Sequence, residues 1–323
     1  MEELVQKDII NIINLIKKCH SKSMYNCLIN DLYKLYTLAN ILNIEVEDVD
    51  NYSYKNYSFN YKKIEKKQKN FYIKNYDFNK ELVDNYKKIL DNVDSTVCYE
   101  LPIMSDFRQQ ELVVDFLRGY DRNIYEIYKK GYDKIIYLDK LDEDALTFYG
   151  KFFNPYILIE SDNTIFTVLK LVHELGHVYD FSNSLENNYN YTGEIYSHFV
   201  ELAFLDIHHD TIDRENIKKN YLHHLKTSIE DLDILLKSNI SSNADFRNNY
   251  SKIYCILEYL YGMILALNFY DEYDYSYKEG VNLINKFSHE KNHIKDIMEL
   301  IDKYDFDIED IKQGKTLSKL LLR

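Results

Sequence analysis

The chain has 323 residues, of which 46% are hydrophobic, and it contains only 2 proline and 8 glycine residues. This length and composition can bury a large core and leave long helices uninterrupted, so a mostly α protein is predicted. Its 40 basic and 53 acidic residues give a net charge of −13, which repels nucleic acid and anionic membranes and argues against both as partners.

The cysteine pattern and the first residues bear on the cellular compartment. The four cysteines, Cys19, Cys27, Cys98 and Cys255, lack the C-x-x-C spacing that is typical of metal and redox sites. The start Met-Glu-Glu-Leu lacks the basic and apolar regions of a signal peptide. Reduced thiols in a cytoplasmic protein are therefore expected.

The N-terminal part of the chain is predicted to be mostly helical. Apolar residues recur with helical periodicity in 3–18 and 24–42, which predicts a pair of helices, and again in 80–90 and 109–130. Within 52–78, aromatic residues alternate loosely with polar ones on both sides of a lysine-rich stretch. A β-hairpin with a basic tip is predicted there.

A strand and a buried helix are predicted in the middle of the chain. Residues 156–160 are β-prone and follow Pro155, which predicts a strand that can leave one edge free for an extended ligand. The sequence Asp162-Asn163-Thr164 then supplies helix-cap chemistry. In 165–178 apolar residues cover most of the helix circumference, so this helix is expected to be buried.

This predicted helix carries the motif His173-Glu174-Leu175-Gly176-His177, which has the pattern H-E-x-x-H. The two histidines are one helical turn apart, so both imidazoles leave the same face, as Zn²⁺ binding requires. Glu174 would then lie beside the water that the metal activates and act as a general base. The alternative is a core helix whose histidines are hydrogen-bonded without any metal.

A catalytic zinc site needs a third protein ligand and an open position for water. Glu194 and Glu201 are the candidates, because both lie in a predicted helix over 194–207 and their spacing places them on one face. One of them can bind the metal while the other orients a ligand histidine. The spacing alone leaves both assignments open.

These motifs together resemble the thimet oligopeptidase and oligoendopeptidase F family of zinc peptidases. The resemblance rests on the H-E-x-x-H motif, on the pattern E-x-x-S-x-x-x-E at Glu194, Ser197 and Glu201, and on the strand that precedes them, and it covers roughly 148–312. It implies a mostly α, zincin-like helical metallopeptidase fold with a small β-sheet edge lining the active-site cleft. It also implies that Glu194 is the third zinc ligand and that Glu201 orients a histidine.

The chain departs from the family pattern near the motif. The loop between His177 and Glu194 is several residues shorter than is usual in the family, which keeps Glu201 as the alternative ligand. Asp180 stands where members usually carry another histidine.

The family also places tyrosines on a late helix, where they donate hydrogen bonds to the tetrahedral intermediate. In the corresponding segment, Tyr250, Tyr254 and Tyr261 are spaced to share one helix face, and Tyr259 and Leu257 would then turn away. Tyr254 is therefore predicted as the catalytic donor, with core packing as the alternative for any one tyrosine in a chain that contains 32 of them.

The sequence thus predicts a zinc-dependent endopeptidase that hydrolyses short oligopeptides, with zinc on His173, His177 and Glu194 and with Glu174 and Tyr254 as catalytic residues. One catalytic domain is expected over 1–323, with a mostly helical part in 1–140 and the zinc site in 141–323. Two alternatives remain, a zinc carboxypeptidase and a metal-containing peptide-binding protein without activity. Oligopeptides are the expected partners, and the sequence gives no oligomeric state.

Overall fold

The computed structural model describes residues 1–46, 61–94, 101–142, 144–183, 191–207, 212–238, 243–275 and 277–322. Within these residues the helices are α1 Glu2–Lys17, α2 Lys22–Ile41, α3 Tyr61–Lys74, α4 Tyr76–Leu90, α5 Asp106–Tyr120, α6 Arg122–Gly131, α7 Ile165–Asn183, α8 Ile195–Ile207, α9 Ile212–Lys237, α10 Asn243–Tyr275, α11 Tyr277–Glu290, α12 Ile297–Lys303, α13 Ile308–Gln313 and α14 Lys315–Leu322. The strands are β1 Ile135–Leu138, β2 Ala145–Phe148 and β3 Tyr156–Glu160.

The chain forms two compact units that alternate along the sequence. Unit 1 consists of Met1–Asn60 and Glu126–Ser161, and unit 2 consists of Tyr61–Tyr125 and Asp162–Arg323. Each unit is assembled from two separate stretches of sequence, so this division does not follow the boundary expected after residue 140. The single catalytic domain itself stays a prediction.

Unit 1 begins with the predicted helix pair. Helices α1 and α2 pack against each other, and apolar residues such as Val5, Ile12 and Leu35 are completely buried between them and their neighbours. The side chain of Ser21 accepts a hydrogen bond from the backbone N–H of Met24, which caps α2 in the manner that serine commonly does. The prediction for this region is confirmed.

The sheet of unit 1 has three strands in the order β1-β3-β2. Strand β3 pairs with β1 in parallel and with β2 antiparallel, so both of its edges are hydrogen-bonded. The predicted free edge on residues 156–160 is therefore wrong. A strand whose first residues are all buried is a continuous apolar run, and such runs favour the centre of a sheet. That an edge of this sheet lines a substrate cleft stays a prediction.

The predicted hairpin is also wrong where the structure describes it. Residues 61–74 form α3, while 52–60 lie outside the described residues. This helix contains six lysines, one glutamate and one glutamine, which are good helix formers, and lysine and glutamate are depleted in strands. Phe71 and Tyr72 supply the buried side of this helix, so its apolar spacing is helical and not alternating.

Unit 2 contains the motif-bearing helices. Helix α8 packs against both α7 and α10, and α9 packs against α10 and α4. Within the described residues, the segment Lys252–Asp271 of α10 is the one long and apolar enough to cross a membrane, and 72% of its most apolar stretch is buried inside the protein. Core helices pass the same test of length and composition, so this observation is weak support for a membrane segment.

Candidate metal centre

The start of α7 is fixed by a compact hydrogen-bonded cap. The carboxylate Oδ1 of Asp162 accepts hydrogen bonds from the backbone N–H of Thr164 at 2.9 Å and from the hydroxyls of Thr164 and Thr167, each at 2.7 Å. The hydroxyl oxygen of Thr164 accepts from the N–H of Phe166 at 3.1 Å. These contacts agree with the predicted cap and set where the motif begins on the helix.

The two motif histidines and Glu194 meet in a small triangle of ligand atoms. The Nε2 atoms of His173 and His177 are 3.1 Å apart, and Oε2 of Glu194 lies 3.3 Å from each of them. A tetrahedral zinc ion with ordinary Zn–N and Zn–O bonds needs ligand atoms about 3.3 to 3.5 Å apart. The donor set and its spacing therefore fit zinc.

Glycines allow three helices to approach closely around this triangle. A Cβ atom on Gly176 of α7 would lie 2.8 Å from Cα of Ser197 in α8, and a Cβ atom on Gly262 of α10 would lie 2.4 Å from Cβ of Glu194. Glu194 immediately precedes α8, and its carbonyl oxygen accepts the N–H of His198 at 3.1 Å. The carboxylate is thus held at the point where the three helices meet.

Glu201 contacts the opposite side of the first histidine. Its Oε1 lies 3.0 Å from Nδ1 of His173, and its Oε2 lies 2.8 Å from Nδ1 of His198. Glu194 is therefore the carboxylate near the two Nε2 atoms, and Glu201 is the carboxylate that contacts Nδ1 on the other side of the His173 ring. This arrangement corresponds to the order of roles that the resemblance implies for the two glutamates.

Glu174 lies beside the same group. It is 7% exposed, and one of its carboxylate oxygens lies within 4.8 Å of a ring nitrogen of His173 and of His177. His173, Glu194 and His198 also meet this 4.8 Å limit. We favour His173, His177 and Glu194 as the ligand set. Their ligand atoms stand at most 3.3 Å from one another, which matches the spacing that a single ion needs.

Burial and charge act in opposite directions on these groups. Burial would lower the pKa of His173, but the carboxylates of Glu201 and Glu194 raise it well above its ordinary value. Burial would raise the pKa of Glu194, but the charges and hydrogen bonds of His177 and His173 hold it well below its ordinary value. The pKa of Glu201 is held down in the same way by His173 and His198. The ionised form of both carboxylates is therefore favoured by the neighbouring imidazoles.

The predicted tyrosine face of α10 is partly wrong. Tyr254 and Tyr261 do share a face, since both rings pack near Tyr191, but the hydroxyl of Tyr261 is buried and donates to Oδ1 of Asn79 at 2.5 Å. Tyr259, expected to turn away, packs edge-on against His198 with ring centroids 4.6 Å apart. The side chain of residue 250 lies outside the described side chains.

The position of Gly262 explains this error. An α-helix turns by about 100° per residue. Measured around the helix from Tyr254, Gly262 therefore lies at about 80° and Tyr259 at about 140°. Because Gly262 is the residue that touches Glu194, the face toward the site is centred there. Glu258 and Tyr259 flank that face. Tyr254, whose hydroxyl bonds to Glu258, lies at its margin and stays a prediction as a catalytic donor.

Glu258 is a site residue that sequence reasoning missed. One of its carboxylate oxygens lies 2.6 Å from where a Cβ atom on Gly193 would be. Burial, with the negative charge of Glu194 adding to it, raises the pKa of Glu258 to about 7. A signal was available in the sequence, because a lone glutamate within an apolar helix needs a polar partner or a polar cavity.

Asp180, which departs from the family pattern, has a structural partner. It is 0% exposed, its Oδ2 pairs with the ammonium of Lys291, and its Oδ1 accepts the hydroxyl of Ser288 at 2.7 Å. The next residue, Phe181, stacks on His177 with ring centroids 5.5 Å apart. The buried ion pair therefore connects the end of the motif helix to the residue that follows α11.

Comparisons with known proteins identify the fold. No protein-family model matches the sequence, and no curated protein matches it at a significant level. A solved structure of a protein assigned as oligoendopeptidase F from Bacillus anthracis str. Ames is similar to it, with a TM-score of 0.50 and 15% identity over 94% of this chain and 64% of that one. A protein assigned as a peptidase from Chlamydophila abortus has a TM-score of 0.49 and 15% identity over 93% and 62% of the two chains.

The similarity to the Bacillus protein confirms the predicted fold class, a mostly α fold of the oligoendopeptidase type with a small sheet. At 15% identity this likeness concerns the fold. The chain spans less than two thirds of the length of either protein, 64% and 62%.

Proposed function

We propose that the protein is a zinc-dependent endopeptidase that hydrolyses short oligopeptides. The observation that carries this proposal is the triangle formed by Nε2 of His173, Nε2 of His177 and Oε2 of Glu194, with edges of 3.1, 3.3 and 3.3 Å. Three nitrogen and oxygen donors at this spacing support a catalytic zinc site, in which water would take the fourth position. A core helix with hydrogen-bonded histidines does not require a partly buried carboxylate equidistant from both rings.

Four residues would bind the metal or orient its ligands. His173, His177 and Glu194 would hold the metal, and Glu201 would hold His173 through its Nδ1 atom. When bound, zinc would polarise the scissile carbonyl and lower the pKa of water in the site toward ~7.

Glu174 would act as the general base. Its carboxylate lies within 4.8 Å of both ligand histidines, close enough to reach a water in the open position. It would accept the proton of the attacking water and then donate it to the leaving amine. Because Glu174 is almost fully buried, bulk water would not compete strongly for that proton.

The test combines metal content with hydrolysis of an end-blocked, quenched-fluorescent peptide. The purified protein should contain zinc, and removal of zinc with a chelator should abolish hydrolysis until zinc is restored. Glu174→Gln should retain zinc but lose about 100-fold or more of the rate, because an amide cannot accept the proton. Zinc loss comparable to that of His173→Ala would make Glu174 structural, and full activity would remove it from the mechanism.

The same assay separates the two alternatives. A carboxypeptidase would leave end-blocked peptides intact and release a residue from peptides with a free C-terminus. A peptide-binding protein would bind zinc and peptides but hydrolyse none. The oligopeptide as substrate and a cytoplasmic location are parts of the proposal, supported by the site and by the cysteine pattern.

A further inference from the structure

His198 belongs to this site, but neither the motif nor the proposed reaction uses it. It lies in α8 between Glu194 and Glu201, it is 0% exposed, and its Nδ1 lies 2.8 Å from Oε2 of Glu201. The other oxygen of that carboxylate lies 3.0 Å from Nδ1 of His173. One carboxylate therefore joins two imidazole rings.

The carboxylate of Glu201 determines which ring nitrogens of His173 and His198 carry a hydrogen. Each oxygen of Glu201 faces one imidazole Nδ1 atom, at 3.0 Å for His173 and 2.8 Å for His198, and a carboxylate oxygen accepts the hydrogen of an N–H donor. Both histidines must then carry a hydrogen on Nδ1. In the neutral form of His173, which is the form that a metal ligand needs, the Nε2 lone pair then points toward the triangle.

Two neighbouring helices hold the His198 ring in place. Tyr259 of α10 packs edge-on against it with centroids 4.6 Å apart, and Tyr221 of α9 does so at 6.0 Å. The hydroxyl of Tyr221 in turn donates to the carbonyl of Met263 at 2.8 Å. The imidazole therefore has little freedom to turn its Nδ1 away from Glu201.

Packing does not explain a histidine at this position. The Nε2 atom of His198 is buried and has no hydrogen-bond partner among the described residues. An unpaired buried polar atom destabilises a fold, and a phenylalanine would fill the same space without one. The contact that a phenylalanine could not make is the hydrogen bond to Glu201.

We propose that His198 is a positioning residue of the metal centre. By holding one oxygen of Glu201, it fixes the other oxygen against His173 and so fixes the direction of the His173 Nε2 atom. This inference rests on the proposed function, because it takes His173 as a zinc ligand. His177 is held differently, since its Nδ1 has no hydrogen-bond partner among the described residues and its ring stacks on Phe181.

The experiment compares variants of the full chain by competition for zinc with a chelator. His198→Phe should weaken zinc binding by roughly 10 to 100-fold, the range typical of partners outside the ligand set. His198→Asn should recover most of that loss, because its amide N–H lies near the position of Nδ1. Ser197→Ala is the matched control: it removes a neighbouring buried hydroxyl that has no hydrogen-bond partner among the described residues, and it should bind zinc as the wild type does.

A second readout does not depend on zinc. In the metal-free protein, the Nδ1 proton of His173, followed by NMR, should exchange with solvent faster in His198→Phe than in His198→Asn. Thermal unfolding checks that each variant is folded, and His198→Leu, which also has no side-chain donor, replaces the phenylalanine variant if that one does not fold.

The outcomes separate the two proposals. Equal zinc affinity and equal proton exchange in the wild type and His198→Phe would overturn the role of His198. Equal losses in the phenylalanine and asparagine variants would overturn the hydrogen bond as its cause. A wild-type protein that binds no zinc would overturn the proposed function, and the positioning role would fall with it.

Discussion

Gly262 and Glu194 are in direct backbone contact. A Cβ atom on Gly262 would lie 2.4 Å from Cβ of Glu194 and 3.1 and 3.2 Å from its carbonyl carbon and Cα. The first distance is shorter than non-bonded atoms accept and the other two are tight, so a side chain at position 262 would displace the residue that completes the ligand triangle. The glycine is thus required by the close approach of two backbones.

We expect Gly262→Ala to weaken zinc binding and to destabilise the fold. The added methyl group meets rigid backbone, and overpacking of this kind typically costs about 1 to 3 kcal/mol in the free energy of unfolding. Urea unfolding of the metal-free protein measures the stability loss, and chelator competition measures the zinc affinity.

Gly119→Ala is the control for that experiment. A Cβ atom there would meet nothing within 4 Å, and the residue lies inside helix α5. Alanine is a better helix former than glycine by about 1 kcal/mol, so this variant should be as stable as the wild type or more stable, with unchanged zinc affinity. Equal behaviour of the two alanine variants would contradict the contact between Gly262 and Glu194.

Glu194, which immediately precedes α8, and Glu201, which lies within α8, should contribute unequally to zinc affinity. Glu194 lies 3.3 Å from both Nε2 atoms, whereas Glu201 contacts Nδ1 of His173. Glu201→Ala should weaken zinc binding by about 10 to 100-fold, as loss of a partner behind a ligand does. Glu194→Ala should weaken it more. Zinc dissociation constants in the opposite order would move the ligand to Glu201.

The tyrosines of α10 can be assigned by steady-state kinetics on one quenched-fluorescent peptide. If Tyr254 donates to the transition state, Tyr254→Phe should lower kcat and kcat/KM together by roughly 10 to 1000-fold while zinc is retained. Tyr259→Phe is the comparison, because Tyr259 lies at the opposite margin of the helix face that points toward the site. If kcat falls in this variant alone, Tyr259 and not Tyr254 is the donor.

Tyr261→Phe is the structural control in the same series. Its hydroxyl donates to Asn79 in the core, so its loss should lower stability by about 1 kcal/mol and leave the kinetic constants unchanged. If none of the three variants changes kcat, catalysis uses no tyrosine donor among them, and the inactive peptide-binding protein becomes the better proposal.

The buried ion pair of Asp180 and Lys291 should be important for stability. Lys291→Met leaves a buried carboxylate without its counter-charge, which typically costs about 3 to 5 kcal/mol. The double variant Asp180→Asn with Lys291→Met should be more stable than Lys291→Met alone, because no charge is then buried unpaired. Denaturant unfolding of the metal-free variants measures both values.

Lys237→Met, which removes an exposed ion pair, is the control for Lys291→Met. Its partner is Asp233, and the lysine side chain is 72% exposed, so water screens the pair. A change of at most about 1 kcal/mol is expected. An equally small loss in Lys291→Met would mean that Asp180 is satisfied without the lysine.

Much of the site follows from sequence because its spacing is local. His173 and His177 share a helix, so helical periodicity alone places both rings on one face. The relation of Glu194 to Glu201 needed the family resemblance, since their spacing suits either role. What local periodicity does not contain is the rotation of one helix relative to another, and the tyrosine face of α10 was misplaced for that reason.

The remaining errors concern partners that the apolar pattern did not identify. Strand β3 was expected to have a free edge, but the chain returns to pair with it on both sides through segments that the apolar pattern did not single out. Asp180 and Glu258 were similarly unassigned, because their significance depends on Lys291 and on Gly193, which lie far along the chain. Burial of a charged residue becomes visible once the packing is known.

The alternation of the two units constrains how the protein can be dissected. A fragment that starts at residue 61 still carries Glu126–Ser161, half of a unit whose other half, Met1–Asn60, has been removed. No single cut separates the units, because the backbone passes from one to the other after Asn60, Tyr125 and Ser161. To obtain the motif-bearing unit by itself, an engineer would have to excise the internal segment and rejoin its ends, as one removes an inserted domain from its host.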